Sequence, residues 1–202
     1  NGWTEQQGTW TNPGDHMLSS WDNYGVIWKD NSFGYNQFLR ADAYFDDNSN
    51  SKVAQLRLRS GLADSGSNRA YDHGYRGCVT RDTVTIYNTY RPSGHSNLGE
   101  MTGLNLPQNQ WLTMAFSVTG TGDDTNLKLW IDDQLYLDVF DTTGQQHDDG
   151  GYLALGSSNH LNRHIKYDNV SGSTDANTVP EPASLFLLGS GLIGMFWRRR
   201  SA

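Results

Sequence analysis

Two aromatic residues and two arginines have the types and the spacing of a sugar-binding surface. Trp130 and Tyr136 alternate with leucines in two segments typical of a hairpin, and Arg57 and Arg59 alternate with leucines in a third. Because successive residues of a strand point to opposite faces, these side chains are expected to project away from the core. A pyranose packs its apolar face on such rings and pairs its hydroxyls with such polar groups. Together with Tyr87, placed outward by the same alternation, they form the predicted glycan platform.

A polysaccharide lyase is the first catalytic alternative. It needs a cation that neutralises a uronate and a tyrosine or histidine that removes the proton. Arg57, Arg59, Tyr87 and His95 have these types, and the arginines alternate along one segment. The other explanation for the two arginines is an exposed, solvated face, so the lyase stays an alternative.

A glycosidase is the second catalytic alternative. Retaining enzymes hold two carboxylates about 5–5.5 Å apart, one as acid and one as nucleophile. Neither Glu5 nor Glu100 has a glutamate partner at strand spacing. The aspartate pairs are adjacent in sequence, so within a strand the two members would point to opposite faces. The sequence therefore favours binding without catalysis.

Composition narrows the classes of partner. The chain has 202 residues and a formal net charge of -7, and its Lys and Arg residues are scattered except at the C-terminus. A nucleic-acid partner would require a basic patch, so none is expected. Cys78 is the only cysteine, which excludes an intrachain disulfide. We expect it to be a small, partly buried strand residue and not a nucleophile.

Period-two alternation predicts the elements that must position these residues. Strands are predicted at residues 37–45, 52–59, 83–87, 111–118, 126–131, 135–139, 151–155 and 164–170. Asp132 and Asp133 supply the turn of the clearest hairpin. Before the last two dozen residues no long, capped helical stripe occurs. The pattern predicts an all-β, antiparallel β-sandwich over residues 1–172, followed by a polar linker over residues 173–178.

The order of these strands resembles the concanavalin A-like, laminin G-like jelly roll. The likeness is carried by Gly8-Thr9-Trp10, by Gln110-Trp111-Leu112-Thr113-Met114, by the segment from Leu129 to Leu135, and by Tyr167-Asp168-Asn169-Val170. The resemblance implies that the last strand returns beside the first. Glycine would be commoner than Asp133 in the hairpin turn, which leaves the turn type open. The fold hosts lectins, carbohydrate-binding modules, glycosidases, lyases and adhesion domains, so it implies no single function.

The same resemblance implies a structural calcium ion. In many such jelly rolls an aspartate of the last strand reaches a cation that carbonyl groups of an early loop also hold. Asp168 stands at the matching position, and Asp46 is a second candidate ligand. Hard oxygen ligands of this kind suit Ca²⁺. The alternative is that Asp168 holds a neighbouring loop through hydrogen bonds.

The C-terminus, residues 179–202, resembles the PEP-CTERM sorting signal of Gram-negative bacteria. Val179-Pro180-Glu181-Pro182 is similar to the signature, an uncharged run to Trp197 is similar to its membrane helix, and Arg198-Arg199-Arg200 is similar to its basic end. The resemblance implies export, a transient inner-membrane anchor, recognition by an exosortase, and display at the cell surface or release. The apolar run is shorter than the roughly 20 residues of a spanning helix, which favours a processed segment.

Three hypotheses follow from these observations. The first is an exported cell-surface or extracellular-matrix protein whose sandwich binds a glycan or matrix polymer without catalysis. The second is a polysaccharide-active enzyme, and the third is a structural surface protein that self-associates. The sequence leaves the ligand and the oligomeric state open.

Overall fold

Two antiparallel sheets make up the body of the protein in a computed structural model. The structure describes residues 33–45, 53–61, 73–90, 94–158 and 165–174, and only the backbone of residues 3–7, 10–11, 17–19 and 24–29. The strands are β1 (Trp3–Gln7), β2 (Trp10–Thr11), β3 (Met17–Ser19), β4 (Tyr24–Lys29), β5 (Gln37–Phe45), β6 (Val53–Gly61), β7 (His73–Val79), β8 (Thr83–Tyr90), β9 (Gly94–Thr102), β10 (Trp111–Thr119), β11 (Asn126–Ile131), β12 (Gln134–Phe140), β13 (Tyr152–Ser158) and β14 (Ile165–Ser173).

Each sheet has seven strands. Sheet A has the order β1-β4-β13-β6-β7-β8-β9, and sheet B has the order β12-β11-β10-β5-β14-β3-β2. This arrangement confirms the predicted all-β antiparallel sandwich. Among the described residues the only helix is a single 3₁₀ turn, Gly122–Asp124. The same residues contain no helix that is long and apolar enough to cross a bilayer. The predicted C-terminal hydrophobic helix lies outside the described residues.

The core lies between the sheets, where period-two alternation turns apolar side chains inward. Leu56 and Ile86 of sheet A and Leu39, Phe116 and Leu129 of sheet B have no exposed surface and belong to one cluster. Burying a leucine or phenylalanine stabilises the folded state by about 1.5–3 kcal/mol. This shared interior fixes which side chains must point away from it, onto the outer face of either sheet.

Several strand pairings contain a register shift, and two of these shifts interrupt the alternation at Arg59 and at Tyr136. The pairing of β6 with β7 shifts between Leu58 and Gly61. The pairing of β11 with β12 shifts between Leu129 and Trp130, where Leu137 and Leu135 are the partners. A β-bulge of this kind inserts one extra residue and reverses the orientation of the side chains that follow. Both bulges fall on predicted site residues.

The last strand has different neighbours from those predicted. The strand β14 pairs with β5 and with β3, and β2, which contains Trp10, lies one strand further out. The prediction that the last strand lies beside the opening strand, which contains Trp10, was therefore wrong by one position. The strand ends at Ser173, and the domain boundary at residue 172 stays a prediction.

Candidate functional site

A groove of about 450 Å³ opens on the outer face of sheet A, the face turned away from sheet B. Small-molecule sites are usually concavities of about 300–1,000 Å³. The strands β6 to β9 supply its walls and floor. The residues that line it are Val53, Gln55, Arg76, Cys78, Thr80, Asp82, Thr83, Thr85, Tyr87, His95 and Glu100. We call this concavity the sheet A groove.

Strand register places a basic row on the outer face of sheet A, of which Arg76 and Tyr87 line the groove and Arg57 is buried. Arg57 of β6 is directly opposite Arg76 of β7, which is in turn directly opposite Tyr87 of β8. Opposite residues of antiparallel strands have Cβ atoms about 4.5–5.5 Å apart and share a face. Two guanidinium groups and a phenol therefore lie side by side on three neighbouring strands.

Ring contacts hold the middle of this row. The guanidinium carbon of Arg76 lies 5.0 Å from the centre of the Tyr87 ring. The Tyr87 ring also meets His95 edge to face, with centroids 5.1 Å apart. The Nε of Arg76 is buried and has no hydrogen-bond partner. The contact with the aromatic ring orients Arg76 by a cation–π interaction, without an ion pair.

The floor beside this row is a hydrogen-bonded pair. The Nε and Nη2 atoms of Arg57 donate to Oε1 of Gln55 at 3.1 and 2.6 Å. A Cβ added to Gly156 of the next strand would lie 2.9 Å from both Arg57 Nε and Gln55 Oε1. Glycine at position 156 therefore leaves the space that this pair occupies. Below it, the Tyr167 hydroxyl accepts from the backbone N–H of Gln55 at 2.9 Å.

The thiol of Cys78 lies within the same groove and is buried, as predicted. Burial raises the pKa of this thiol, and the nearby charges of Arg76 and Arg57 lower it by less. The protonated thiol is a weak nucleophile, so this residue fills the floor and does not carry chemistry.

Arg59 is placed elsewhere, and the predicted exposure of both arginines was wrong, since Arg57 lies on the outer face of sheet A but is only 2% exposed. Arg59 lies within the bulge, has a φ of 48°, and has only 1% of its surface exposed. Its guanidinium donates to the carbonyl oxygens of Tyr35 at 2.7 Å and His147 at 3.0 Å, and to that of Gly120. It also pairs with Asp148 at 3.6 Å. Arg59 holds loops together at one end of the sandwich.

A buried polar network continues from Arg59. Asp141 accepts hydrogen bonds from Tyr75 at 2.9 Å and from Asn88 at 2.7 Å, and Nε2 of His147 lies 2.8 Å from Asn88 Oδ1. Burial lowers the pKa of His147 to about 4, and the charge of His73 adds to this effect. Burial also raises the pKa of Tyr75. The network is satisfied by the protein itself, which is typical of a structural role.

Trp130 and Tyr136 do not form one surface. Trp130 lies on the outer face of sheet B, as its alternation with the leucines predicts. It is nevertheless only 8% exposed and packs with Phe38 and Ala115. Tyr136 is the extra residue of the second bulge and packs against the main core, while Leu135 is 45% exposed. The predicted outward orientation of Tyr136 was therefore wrong, and neither ring reaches the sheet A groove.

Of the two predicted metal ligands, the structure describes only Asp168. Asp168 lies directly opposite Asp42 of β5, and its Oδ1 accepts from the backbone N–H of Asn169 at 2.7 Å. Both oxygens of Asp42 accept hydrogen bonds, from Thr113 at 2.6 Å and Asn169 at 2.7 Å. Asp46 lies outside the described residues. Among the side chains that the structure describes, no three of His, Cys, Asp or Glu converge on one point.

Two of the adjacent aspartate pairs also lie in turns. Asp123 and Asp124 belong to the 3₁₀ turn. Asp132 and Asp133 form the two-residue loop between β11 and β12, with φ of 49° and 62°. Positive φ at both positions corresponds to a type I′ hairpin turn, which settles the turn type. Neither pair faces the groove.

The structure brings together part of the predicted platform and adds residues that sequence reasoning missed. Arg57 and Tyr87 lie in the basic row on either side of Arg76, and His95 from the lyase alternative contacts Tyr87. Gln55, Arg76 and Glu100 were not selected. The available signal was the alternation of Arg76 and Cys78 with Tyr75, Gly77 and Val79 in β7, a strand absent from the predicted set.

The C-terminal tail matches a known motif. Residues 178–200 match the family model of the PEP-CTERM protein-sorting motif. This match confirms the predicted sorting signal at Val179, Pro180, Glu181 and Pro182, with its basic end at Arg198, Arg199 and Arg200. The motif implies export with a C-terminal membrane anchor before processing. These residues lie outside the part of the chain that the structure describes. No curated protein sequence matches the chain.

Solved structures with the same architecture include carbohydrate-binding domains. The carbohydrate binding module CBM66 from Bacillus subtilis aligns with a TM-score of 0.63 at 20% identity, over 85% of this chain and 95% of that one. The carbohydrate recognition domain of Emp46p in its potassium-bound form gives 0.64 at 12% identity, over 86% and 88% of the two chains. The exoplasmic/lumenal domain of VIP36 in its Ca²⁺/Man3GlcNAc-bound form gives 0.58 at 12% identity, over 86% and 84%.

At these identities the likeness shows the fold alone. The body of this chain is therefore a jelly-roll sandwich of the kind found in lectins and carbohydrate-binding modules. Two of these structures contain a bound cation, which is a property of those proteins.

Proposed function

We propose that this chain is an exported, non-catalytic glycan-binding protein that holds a sugar in the sheet A groove. The observation that carries the proposal is the basic row, in which Arg76 lies over Tyr87 and Tyr87 meets His95. Oriented donors beside an aromatic ring are the groups that recognise sugar hydroxyls. The fold of the body and the sorting motif of the tail support the same function. Its place of action is the cell surface or the extracellular matrix, after an exosortase has processed the tail.

Binding without catalysis is favoured by the positions of the carboxylates. Glu100 and Asp82 are the acidic side chains that line the groove. Glu100 accepts a hydrogen bond from Asn97 at 3.0 Å, and Asp82 lies 3.8 Å from the Arg81 guanidinium. Both are oriented by neighbours as hydrogen-bond acceptors. A sugar hydroxyl that donates to either carboxylate would fix the ligand in register with the strands.

A glycan array tests this proposal with the full chain, kept soluble in a mild detergent. Tyr87→Ala removes the centre of the basic row and should reduce retention at least about tenfold, as expected for an interface hot spot. The matched control is Trp111→Ala, because Trp111 is 41% exposed on β10 of the opposite sheet. Equal retention by the Tyr87 variant and its parent, or a loss caused by the Trp111 variant alone, would exclude the groove.

The structural calcium ion expected at Asp168 and Asp46 remains part of the proposal. It is supported by the directly opposed carboxylates of Asp168 and Asp42, since a cation would offset the repulsion between two like charges. Calorimetry with and without a chelator tests it. A melting temperature that chelator leaves unchanged would remove calcium from the description.

A further inference from the structure

We infer that the sheet A groove recognises an anionic sugar residue, whose carboxylate or sulfate group lies against Arg76 and the amide of Gln55. This inference rests on the proposed function and narrows its ligand class. It depends on two properties of the groove floor. Its side chains offer hydrogen-bond donors, and Arg76 has no carboxylate partner among the described residues.

The floor over β6 and β7 presents hydrogen-bond donors. A guanidinium group has donors and no acceptor, so Arg57 and Arg76 can only donate. Gln55 has one amide oxygen, and Arg57 already occupies it from two nitrogens at 3.1 and 2.6 Å. The part of Gln55 that remains for a ligand is its NH₂ group, which also donates. A hydroxyl placed here would have its own hydrogen without an acceptor, whereas a carboxylate or sulfate only accepts.

The charge of Arg76 is not neutralised within the described part of the chain. Arg40, Arg59 and Arg81 each have a carboxylate within 4.0 Å, and Arg76 has none. Its Nε is buried without a hydrogen-bond partner, and its guanidinium contacts the Tyr87 ring instead. A partly desolvated cation without a counter-ion is unfavourable. An anionic ligand is the group that would correct this and gain charge-assisted hydrogen bonds.

A second guanidinium, that of Arg57, lies buried behind this end of the groove and is only 2% exposed. Arg57 is directly opposite Arg76, and both charges act on the Cys78 thiol between β6 and β8. The acidic residues Asp82 and Glu100 belong to the loop before β8 and to β9, where Arg81 and Asn97 contact them. The groove therefore has a donor end, formed by Gln55 of β6 and the cation of Arg76 on β7, and an acceptor end towards β9. One anionic group and the hydroxyls of the same sugar fit the two ends.

Affinity electrophoresis of the full chain in mild detergent tests the ligand class. The probes are alginate, polygalacturonate and dextran sulfate, each beside its neutral counterpart: the two carboxyl-reduced polymers and unsulfated dextran. We expect at least one anionic polymer to bind about tenfold or more tightly than its counterpart, as for a charge-assisted pair. Because the protein has a net charge of -7, general attraction to a polyanion would not explain such a preference.

Variants of Arg76 then test whether the preference for charged polymers arises in the groove. Arg76→Gln should abolish the difference between the charged and neutral polymers, and Arg76→Lys should retain part of it because the charge remains without the guanidinium fork. Arg40→Gln is the matched control, since Arg40 lies on sheet B and already pairs with Asp133. Thermal melting establishes that the Arg76 variants are folded.

The outcomes separate the two proposals. Equal binding of charged and neutral polymers, or retention of neutral glycans alone, would overturn the anionic ligand and leave glycan binding intact. An equal loss of both polymer types in Arg76→Gln would overturn it as well. A chain that binds no polymer and no array glycan would remove the proposed function itself. Preference for dextran sulfate over alginate and polygalacturonate would identify the anionic group as a sulfate.

Discussion

The Tyr167 hydroxyl, carried by β14 of sheet B, accepts a hydrogen bond from the backbone N–H of Gln55 in sheet A at 2.9 Å. The same hydroxyl donates to the carbonyl oxygen of Gly156 at 2.6 Å. Gln55 and Gly156 are register partners on adjacent strands, so a side chain from the opposite sheet completes their ladder. The groove floor is therefore supported from across the core, and burial raises the pKa of Tyr167.

Tyr167→Phe should lower the free energy of unfolding by about 2–4 kcal/mol, because it leaves a buried N–H and a buried C=O without a partner. Urea denaturation measures the change. The control is Tyr136→Phe, whose hydroxyl makes no hydrogen bond within the described residues. A loss below about 0.5 kcal/mol for Tyr167→Phe would mean that the strands close the gap without the hydroxyl.

Gly156→Ala should weaken glycan binding more than it weakens the fold. The added methyl would meet Arg57 Nε and Gln55 Oε1 at 2.9 Å, so the amide of Gln55, which lines the groove, would have to move. We expect binding to fall about tenfold, comparable to a lost charged hydrogen bond, while stability changes by less than about 1 kcal/mol. Calorimetric titration with the polymer found above and thermal melting measure the two effects. Unchanged affinity would show that the amide of Gln55 does not contact the ligand.

His147 should make stability dependent on pH. Its pKa is lowered from 6.5 to about 4 by burial and by the charges of His73 and Arg59, while Asp141 acts in the opposite direction. Between pH 4 and pH 6.5 the imidazole of His147 is therefore protonated in the unfolded chain and neutral in the folded protein. Stability is complete above pH 6.5 and is lost as the pH falls towards 4, by up to about 3 kcal/mol. Urea denaturation across this range should find a smaller slope for His147→Gln, and an identical slope would contradict the assignment.

Replacing Asp133 of the hairpin loop by glycine should destabilise the folded protein less than replacing it by alanine. Both substitutions remove the exposed ion pair with Arg40, which joins Arg40 Nη1 and Asp133 Oδ1 at 2.9 Å and is worth less than about 1 kcal/mol. They differ in how they tolerate the φ of 62°. Asp133→Gly should therefore be about 1 kcal/mol more stable than Asp133→Ala. Equal denaturation midpoints would exclude backbone strain at this position.

Alternation alone was sufficient to predict most of the sandwich. The strands β5, β6, β8, β10, β11, β12, β13 and β14 coincide with predicted segments, because leucines facing a shared core impose a period of two. The order of the strands within each sheet was harder to predict from the sequence. The neighbours of β14 depend on contacts between residues more than 100 positions apart, and no local pattern encodes them.

The candidate site was predicted only where the strands are regular. Arg57 and Tyr87 lie on the face where period two places them, although Arg57 is buried, whereas Arg59 and Tyr136 lie within bulges that change the parity. A bulge depends on the pairing of two strands and leaves no reliable mark in either one. Arg76 was missed because β7 contains Gly74 and Gly77, which weaken its apolar alternation. The assignment of its neighbours as ligand-binding residues stays a prediction.

The central position of β14 has a consequence for the order of events in the cell. This strand pairs with β5 and supplies Tyr167 to the other sheet, so the sandwich is incomplete until residue 173 has been synthesised. The sorting motif begins at residue 178. Long-range pairing of this kind is slow compared with helix formation. The sandwich, and with it the sheet A groove, is therefore expected to finish folding only once the chain up to the sorting motif is available to pair.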